Sequence, residues 1–136
     1  MAASVAHKFV ERVDSNEDWH VLVEKTTGSL IVVDAHASWT GPCYALDRVL
    51  TSLFYEMGQE YDVKFLQAPS DRVAALADLK GTSRPTFLLF RNGVEVERVE
   101  GAIAPKLLHA IRRLAVKKGS AAGRLKADVT SALSYS

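Results

Sequence analysis

Residues 34–43 read Asp34-Ala35-His36-Ala37-Ser38-Trp39-Thr40-Gly41-Pro42-Cys43 and connect an apolar run to a helical pattern. The run, residues 30–33, has no polar alternation before Asp34, which predicts a strand buried on both faces and places Asp34 in or near the core. After Pro42, apolar residues recur at intervals of three and four, which predicts an amphipathic helix that ends at Gly58. These apolar positions are Ala45, Leu46, Val49, Leu50, Leu53, Phe54 and Met57.

The flanking segments alternate strand and helix patterns. Residues 7–13 suggest a short first strand. Ser15 followed by Asp18 is a variant of the capping box, so a helix of about three turns is expected to begin there. Residues 62–68 predict another strand, and Ser70 would cap a second helical pattern after it. The order to this point is β-α-β-α-β-α.

The last third of the chain predicts a hairpin and a final helix. Asn92 and Gly93 separate two strand-like runs, residues 86–90 and 94–99, and Asn-Gly in that position is the strongest short-range hairpin signal. Pro105 suits the first turn of the helix that follows. The sum is an α/β fold with a mixed central sheet flanked by helices.

One domain is expected, because 136 residues suffice for a single core of ordinary size. We assign residues 1–118 to it, with Lys117 and Lys118 giving the last helix a favourable C-terminus. Residues 119–136 are rich in alanine and serine and are interpreted as a tail that is flexible or becomes ordered on a partner.

Composition argues against several classes of function. The formal net charge of +1 gives no strong field for nucleic acid or membrane. Apolar runs are too short to span a bilayer and the N-terminus lacks a signal-peptide pattern, so we expect a cytoplasmic protein. The single cysteine, Cys43, excludes an intramolecular disulfide, and the four histidines show no metal-ligand spacing. Neither a metal nor a cofactor is expected.

Four separate landmarks resemble the thioredoxin superfamily. They are the Trp-x-Gly-Pro-Cys junction at residues 39–43, the Arg84-Pro85-Thr86-Phe87 segment, the Asn92-Gly93 hairpin and Gly101. The resemblance covers roughly residues 7–116 and implies the thioredoxin fold with its cis-proline loop.

The resemblance also implies roles for individual residues. Asp34 matches the buried carboxylate that tunes the active-site thiols of the family, and Trp39 matches the tryptophan beside the site. Pro85 matches the cis-proline, while Gly101 and Ala102 match the small-residue loop that completes a partner-binding groove. The predicted groove comprises Trp39, Pro42, Arg84, Pro85, Gly101 and Ala102.

Within the superfamily, residues 101–108 narrow the resemblance. They read Gly-Ala-Ile-Ala-Pro-Lys-Leu-Leu, similar to the thioredoxin-type light chains of outer-arm axonemal dynein and to ciliary thioredoxin modules fused to nucleoside-diphosphate-kinase repeats. Phe65-Leu66-Gln67-Ala68, followed by Asp71, is also similar. This implies a protein partner such as a dynein heavy or intermediate chain, and a location in the axoneme of a cilium or flagellum.

The motif is degenerate at the position where the family's chemistry begins. Active thioredoxins carry the attacking cysteine where this chain has Thr40, and an unactivated hydroxyl cannot perform thiol–disulfide exchange. Thr40 or Gly41 would instead cap the helix; phosphorylation of Thr40 is the alternative. Cys43 occupies the resolving position, where it is either a small buried hydrophobe or a monothiol open to glutathionylation. No catalytic residue is therefore expected.

Four other residues need interpretation. Asp34 is a structural remnant or a proton shuttle. His36 stands where many thioredoxins have an aromatic residue and is interpreted as a partly buried histidine with one hydrogen bond. Arg84 replaces the usual apolar residue and either favours an acidic partner or points into water. Trp39 lines a peptide-docking groove or packs on the Pro85 loop.

Three hypotheses for function follow. The first is a redox-inactive interaction module, a light chain of a ciliary dynein assembly. The second is a monothiol redox protein or sensor that acts through Cys43. The third is a regulatory binder of unfolded peptides that uses the Trp39 groove.

Overall fold

The computed structural model describes residues 10–38, 45–79, 81 and 84–118. At its centre lies strand β2 (Leu30–His36), in which all seven residues are buried, as the uninterrupted apolar run predicts. It runs parallel to β3 (Tyr61–Pro69) and antiparallel to β4 (Thr86–Arg91).

Two further strands complete this sheet at its edges. β1 (Val10–Arg12) runs parallel to β3, and β5 (Val94–Glu100) runs antiparallel to β4. The order is β1-β3-β2-β4-β5, with the two-residue strand β6 (Val116–Lys117) paired to the start of β3. The predicted mixed sheet is thereby confirmed.

Helices cover both faces of the sheet. α1 (Asn16–Trp19) continues as a π-helical turn (His20–Glu24) and shares one face with a 3₁₀ helix (Ala74–Leu79). α2 (Asp47–Met57) and α3 (Ala104–Leu114) cover the other.

The alternation of side chains along β2 gives each face its own apolar core. The first core contains Trp19, Val23, Ile31, Val33, Leu76 and Phe90, among others. The second contains Leu30, Val32, Leu53, Phe65, Phe87, Leu107 and Ile111, among others. Each fully buried leucine, isoleucine or phenylalanine contributes about 1.5–3 kcal/mol, so both cores stabilise the fold.

Local signals set several element boundaries as predicted. The Ser15 hydroxyl accepts the N–H of Asp18 at 3.1 Å and caps α1. Gly58 is the C-cap of α2, and proline stands in the first turn of α3. Asn92 and Gly93 have φ of 52° and 81°, the left-handed pair that a tight hairpin requires.

Two predictions about helix starts are wrong. α2 begins at Asp47, because Ala45 and Leu46 form a turn; the capping expected from Thr40 or Gly41 lies outside the described residues. Ser70 does not cap the helix after β3, since its buried hydroxyl has no hydrogen-bond partner in the described part of the chain.

The segment after β3 forms a 3₁₀ helix with a cap from elsewhere in the chain. The N–H of Ala74 donates to Oδ1 of Asn16 at 2.7 Å, across 58 residues. Leu76 interrupts helical geometry at φ −104° and ψ 17°, so no regular α-helix follows. Tertiary contact therefore overrides the local capping signal at Ser70.

The two C-terminal lysines do not extend or cap α3. Ala115 leaves the helix in an extended conformation, with φ −60° and ψ 144°, and β6 carries the chain to β3. The ammonium of Lys118 then donates to the carbonyl of Gly58 at 2.6 Å. Its charge thus lies at the C-terminus of α2, where the helix dipole favours a cation.

Candidate functional site

The strand registers bring the described residues of the predicted groove to one end of the sheet. Ala35 near the end of β2 lies opposite Thr86 at the start of β4, and Thr86 lies opposite Glu100 at the end of β5. The N–H of Gly101 donates to the carbonyl of Pro85 at 2.7 Å. Pro85 and Gly101, two residues of the predicted groove, are therefore joined directly.

The central motif lies outside the described residues. The structure describes β2 and the two residues after it as far as Ser38, and resumes at Ala45. The roles assigned to Trp39, Thr40, Gly41, Pro42 and Cys43 therefore stay predictions.

Asp34 occupies a buried position on the α2 side of β2. It is 8% exposed and lies opposite Gln67 in β3 and Phe87 in β4. Its burial follows from the strand pattern, as the sequence predicted, because Leu30 and Val32 on the same face belong to the α2–α3 core.

His36 lies two residues beyond Asp34 on the same face and is 5% exposed. Its Nδ1 is 3.3 Å from the carbonyl of Asp34. Burial is the main cause that lowers the pKa of His36 below its ordinary 6.5, and the Asp34 carbonyl partly opposes it. A neutral, buried imidazole with this contact matches the structural interpretation of His36.

A pair of residues that sequence reasoning missed holds the end of β2. The hydroxyl of Ser38 donates to Oδ1 of Asp71 at 2.7 Å, and the N–H of Ser38 donates to the same oxygen at 3.2 Å. The hydroxyl contact is the main cause that lowers the pKa of Asp71. Ser38, the residue directly before Trp39, is thus hydrogen-bonded to the turn after β3. The family similarity at Asp71 was the only feature of the sequence that pointed to this contact.

The expected cis peptide bond is not observed. No peptide bond among the described residues is cis, and the Arg84–Pro85 bond lies between two described residues. The trans form is the lower-energy isomer of an X–Pro bond unless its surroundings select cis. Pro85 directly precedes β4, and its carbonyl accepts the N–H of Gly101.

Arg84 and the loop after β5 form the exposed rim. The guanidinium of Arg84 is 3.7 Å from Glu100, and its side chain is 67% exposed. Ala102 is exposed, and so is Ile103 at 46%. Ile103 is an apolar rim residue that sequence reasoning missed. Its position between the small-residue loop and α3 was the feature of the sequence that could have indicated it.

No metal site accompanies these residues in the part of the chain that the structure describes. Within residues 10–38, 45–79, 81 and 84–118, no group of three or more His, Cys, Asp or Glu could hold a metal ion. In the same ranges no helix has the length and apolar character to cross a membrane.

Comparison with known proteins agrees with this geometry. The sequence pattern of the thioredoxin family, described as Thioredoxin, matches residues 10–113. This chain belongs to the thioredoxin family. The match extends over both edges of the sheet and most of α3, so the thioredoxin fold implied by the element order and the four landmarks is confirmed.

Relatives include a light chain and conventional thioredoxins. The dynein 14 kDa light chain of the flagellar outer arm of Chlamydomonas reinhardtii is 32% identical over 109 residues, which are 80% of this chain and 84% of that protein. Thioredoxin H2-1 of Oryza sativa is 37% identical over 117 residues, 83% of this chain and 82% of that protein.

A solved thioredoxin shows the same fold. The crystal structure of thioredoxin NaTrxh from Nicotiana alata superposes with a TM-score of 0.61 at 33% identity, covering 77% of this chain and 91% of that one. The family therefore includes both thioredoxins and a protein named as a dynein subunit.

Proposed function

We propose that this thioredoxin-family chain is a redox-inactive interaction module that serves as a light chain of a ciliary or flagellar dynein. The observation that carries the proposal is Thr40 at the position of the attacking cysteine, on a fold that otherwise retains the buried acid and the Pro85–Gly101 contact. A single cysteine cannot complete a dithiol cycle within one chain.

The proposed partner is a heavy or intermediate chain of axonemal dynein. The name of the Chlamydomonas relative supports this choice, because it is a flagellar outer-arm dynein light chain that aligns with 80% of this chain. The rim of Arg84, Pro85, Gly101, Ala102 and Ile103 is the surface that would contact it.

The first test measures reduction of a small disulfide-bonded protein by the wild type, Thr40→Cys and Thr40→Ser. We expect the wild type and Thr40→Ser to be inactive and Thr40→Cys to gain activity, because that variant restores a thiol at the position of the family's attacking cysteine, and a hydroxyl cannot attack a disulfide. Activity in the wild type that disappears in Cys43→Ser would replace this proposal with the monothiol one.

The second test measures stoichiometric binding of the purified chain to salt-extracted outer-arm dynein. Ala102→Lys and Ile103→Lys should weaken binding, because each places a long cation on the rim. Val21→Lys is the matched control, since Val21 is 54% exposed but lies at the helix on the opposite face of the sheet. Equal binding by all three variants would contradict the rim as the interface.

A further inference from the structure

A pocket opens between the first half of α2 and the sheet, separate from the exposed rim. Phe54, Phe65 and Phe87 contribute to its walls, and its empty volume is about 440 Å³ with its open mouth included. Because part of that volume is open to solvent, the enclosed part suits one side chain better than a whole cofactor.

The pocket is acidic as well as aromatic. Asp34 and Asp47 line it, and no lysine, arginine or histidine is among its lining residues in the described part of the chain. Asp47 lies three and seven residues before Leu50 and Phe54, so it shares a helix face with these two apolar lining residues. In the described ranges the carboxylate of Asp47 makes no hydrogen bond or ion pair, so no cation there neutralises its charge.

We propose that this pocket receives a lysine side chain from the protein partner. This inference rests on the proposed function, because it assumes that the chain binds another protein, and it adds the chemistry that one contact uses. An aliphatic stem of four carbons would lie against the phenylalanine rings, and its ammonium would approach the aspartates.

The physical basis is the complementarity of both parts of the lysine side chain. Apolar walls remove the stem from water, while aromatic faces and carboxylates both attract a cation. A pair of charges in a partly enclosed pocket is screened less than one on an open surface. A neutral side chain of the same length would gain only the apolar contribution.

The test uses an acetylated and amidated Ala-Ala-Lys-Ala-Ala peptide as the probe. Binding is followed by the NMR shifts of backbone amides at pocket residues such as Val32, Leu50 and Phe65. The lysine peptide should shift these amides saturably, and the same peptide with norleucine in place of lysine should bind about tenfold more weakly, as expected for loss of a charge-assisted contact.

Protein variants then locate the contact. Asp47→Asn should weaken binding of the lysine peptide about tenfold and leave binding of the norleucine peptide unchanged. Glu17→Gln is the matched control, because Glu17 is an exposed carboxylate on α1, across the sheet from the pocket. Glu17→Gln should leave the binding of both peptides unchanged.

Several outcomes would overturn the proposal. Equal binding of the two peptides would show that the cation does not contribute. Amide shifts spread over acidic surfaces outside the pocket would show that the pocket is not the binding site. Tighter binding of spermidine than of the peptide would identify a small polyamine as the occupant. A chain that is redox-inactive and binds dynein but ignores the lysine peptide would lose only this inference, whereas reductase activity would overturn the proposed function.

Discussion

Among single residues, His36 shows how burial changes the chemistry of a side chain near the site. A histidine at the end of a central strand is surrounded by the sheet and by the turn after β3, where the N–H of Ser70 donates to the His36 carbonyl at 2.7 Å. Loss of water around the ring disfavours the charged imidazolium. The folded state therefore holds His36 neutral more strongly than the unfolded state does.

This difference predicts a pH dependence of stability. Because the pKa of His36 is lowered from 6.5, the unfolded state binds more protons near that pH, and the free energy of unfolding should fall as pH decreases below about 6.5–7. The slope from one group is at most about 1.4 kcal/mol per pH unit. Urea unfolding between pH 7.5 and 5.5 measures it.

A matched pair of variants assigns the slope to His36. His36→Gln should flatten the profile across this window, whereas His20→Gln should retain it because His36 is intact and His20 is an exposed residue paired with Glu24. A profile of His36→Gln identical to that of the wild type would contradict the assignment.

Among elements, the β4–β5 hairpin is joined to the 3₁₀ helix through Arg98. A bulge between Leu89 and Phe90 in the register places Glu95 and Arg98 so that the guanidinium donates to Glu95 at 2.9 and 3.1 Å. The same guanidinium donates to Asp78 in the 3₁₀ helix at 3.0 Å. These contacts, led by the one to Glu95, raise the pKa of Arg98 and tie the edge strand to the helix beside it.

The turn of this hairpin gives a prediction with an internal control. Gly93 has φ +81°, and a Cβ there would lie 2.7 Å from the carbonyl oxygen of Glu24. Gly81 has φ +85°, and no atom of the described residues lies within 4 Å of a Cβ built there. Gly81→Ala should cost about 1–2 kcal/mol from left-handed strain alone. Gly93→Ala should cost about 2–4 kcal/mol, because backbone must also move.

Urea unfolding of the two alanine variants measures this difference. Equal losses in the two variants would show that the Glu24 contact is not tight. A loss confined to Gly81→Ala would contradict the packing of the hairpin turn against the end of the π-helical turn.

For the whole molecule, β6 joins the end of the described chain to the start of β3. Val116 is 4% exposed, β6 pairs with Tyr61 and Asp62, and the N–H of Lys118 donates to Glu60 at 2.7 Å. α3 is thereby connected to the start of β3 and to the end of α2.

Two truncations test where the domain ends. Removal of residues 119–136 should change the free energy of unfolding by less than about 0.5 kcal/mol, because this segment is predicted to be a tail. Removal of residues 116–136 should cost about 2–4 kcal/mol more, since it exposes the Val116 site and breaks the hydrogen bonds of β6. Thermal and urea unfolding measure both.

The same truncations also test the predicted tail in binding. If the tail contacts the partner, removal of residues 119–136 should weaken dynein binding while the thermal midpoint stays nearly constant. A large fall of the midpoint in this shorter truncation would instead place the tail within the fold.

Sequence by itself determined the features that depend on neighbours along the chain. The buried character of β2, the Ser15 cap, the Asn92–Gly93 turn and the mixed sheet all follow from local periodicity and turn chemistry. Thr40, at the position where the family resemblance implies an attacking cysteine, is equally readable, because it is one residue in a recognisable motif.

Tertiary structure alone decided the contacts between distant segments. The Asn16 cap on Ala74, the Ser38–Asp71 hydrogen bonds and the Lys118 contact at the end of α2 join residues 33 to 60 positions apart. Hydrogen-bonding capacity is visible in a sequence, but a partner is selected only when packing brings the two groups within about 3 Å of each other. That is why Ser70 was a sound local prediction for a cap that Asn16 supplies.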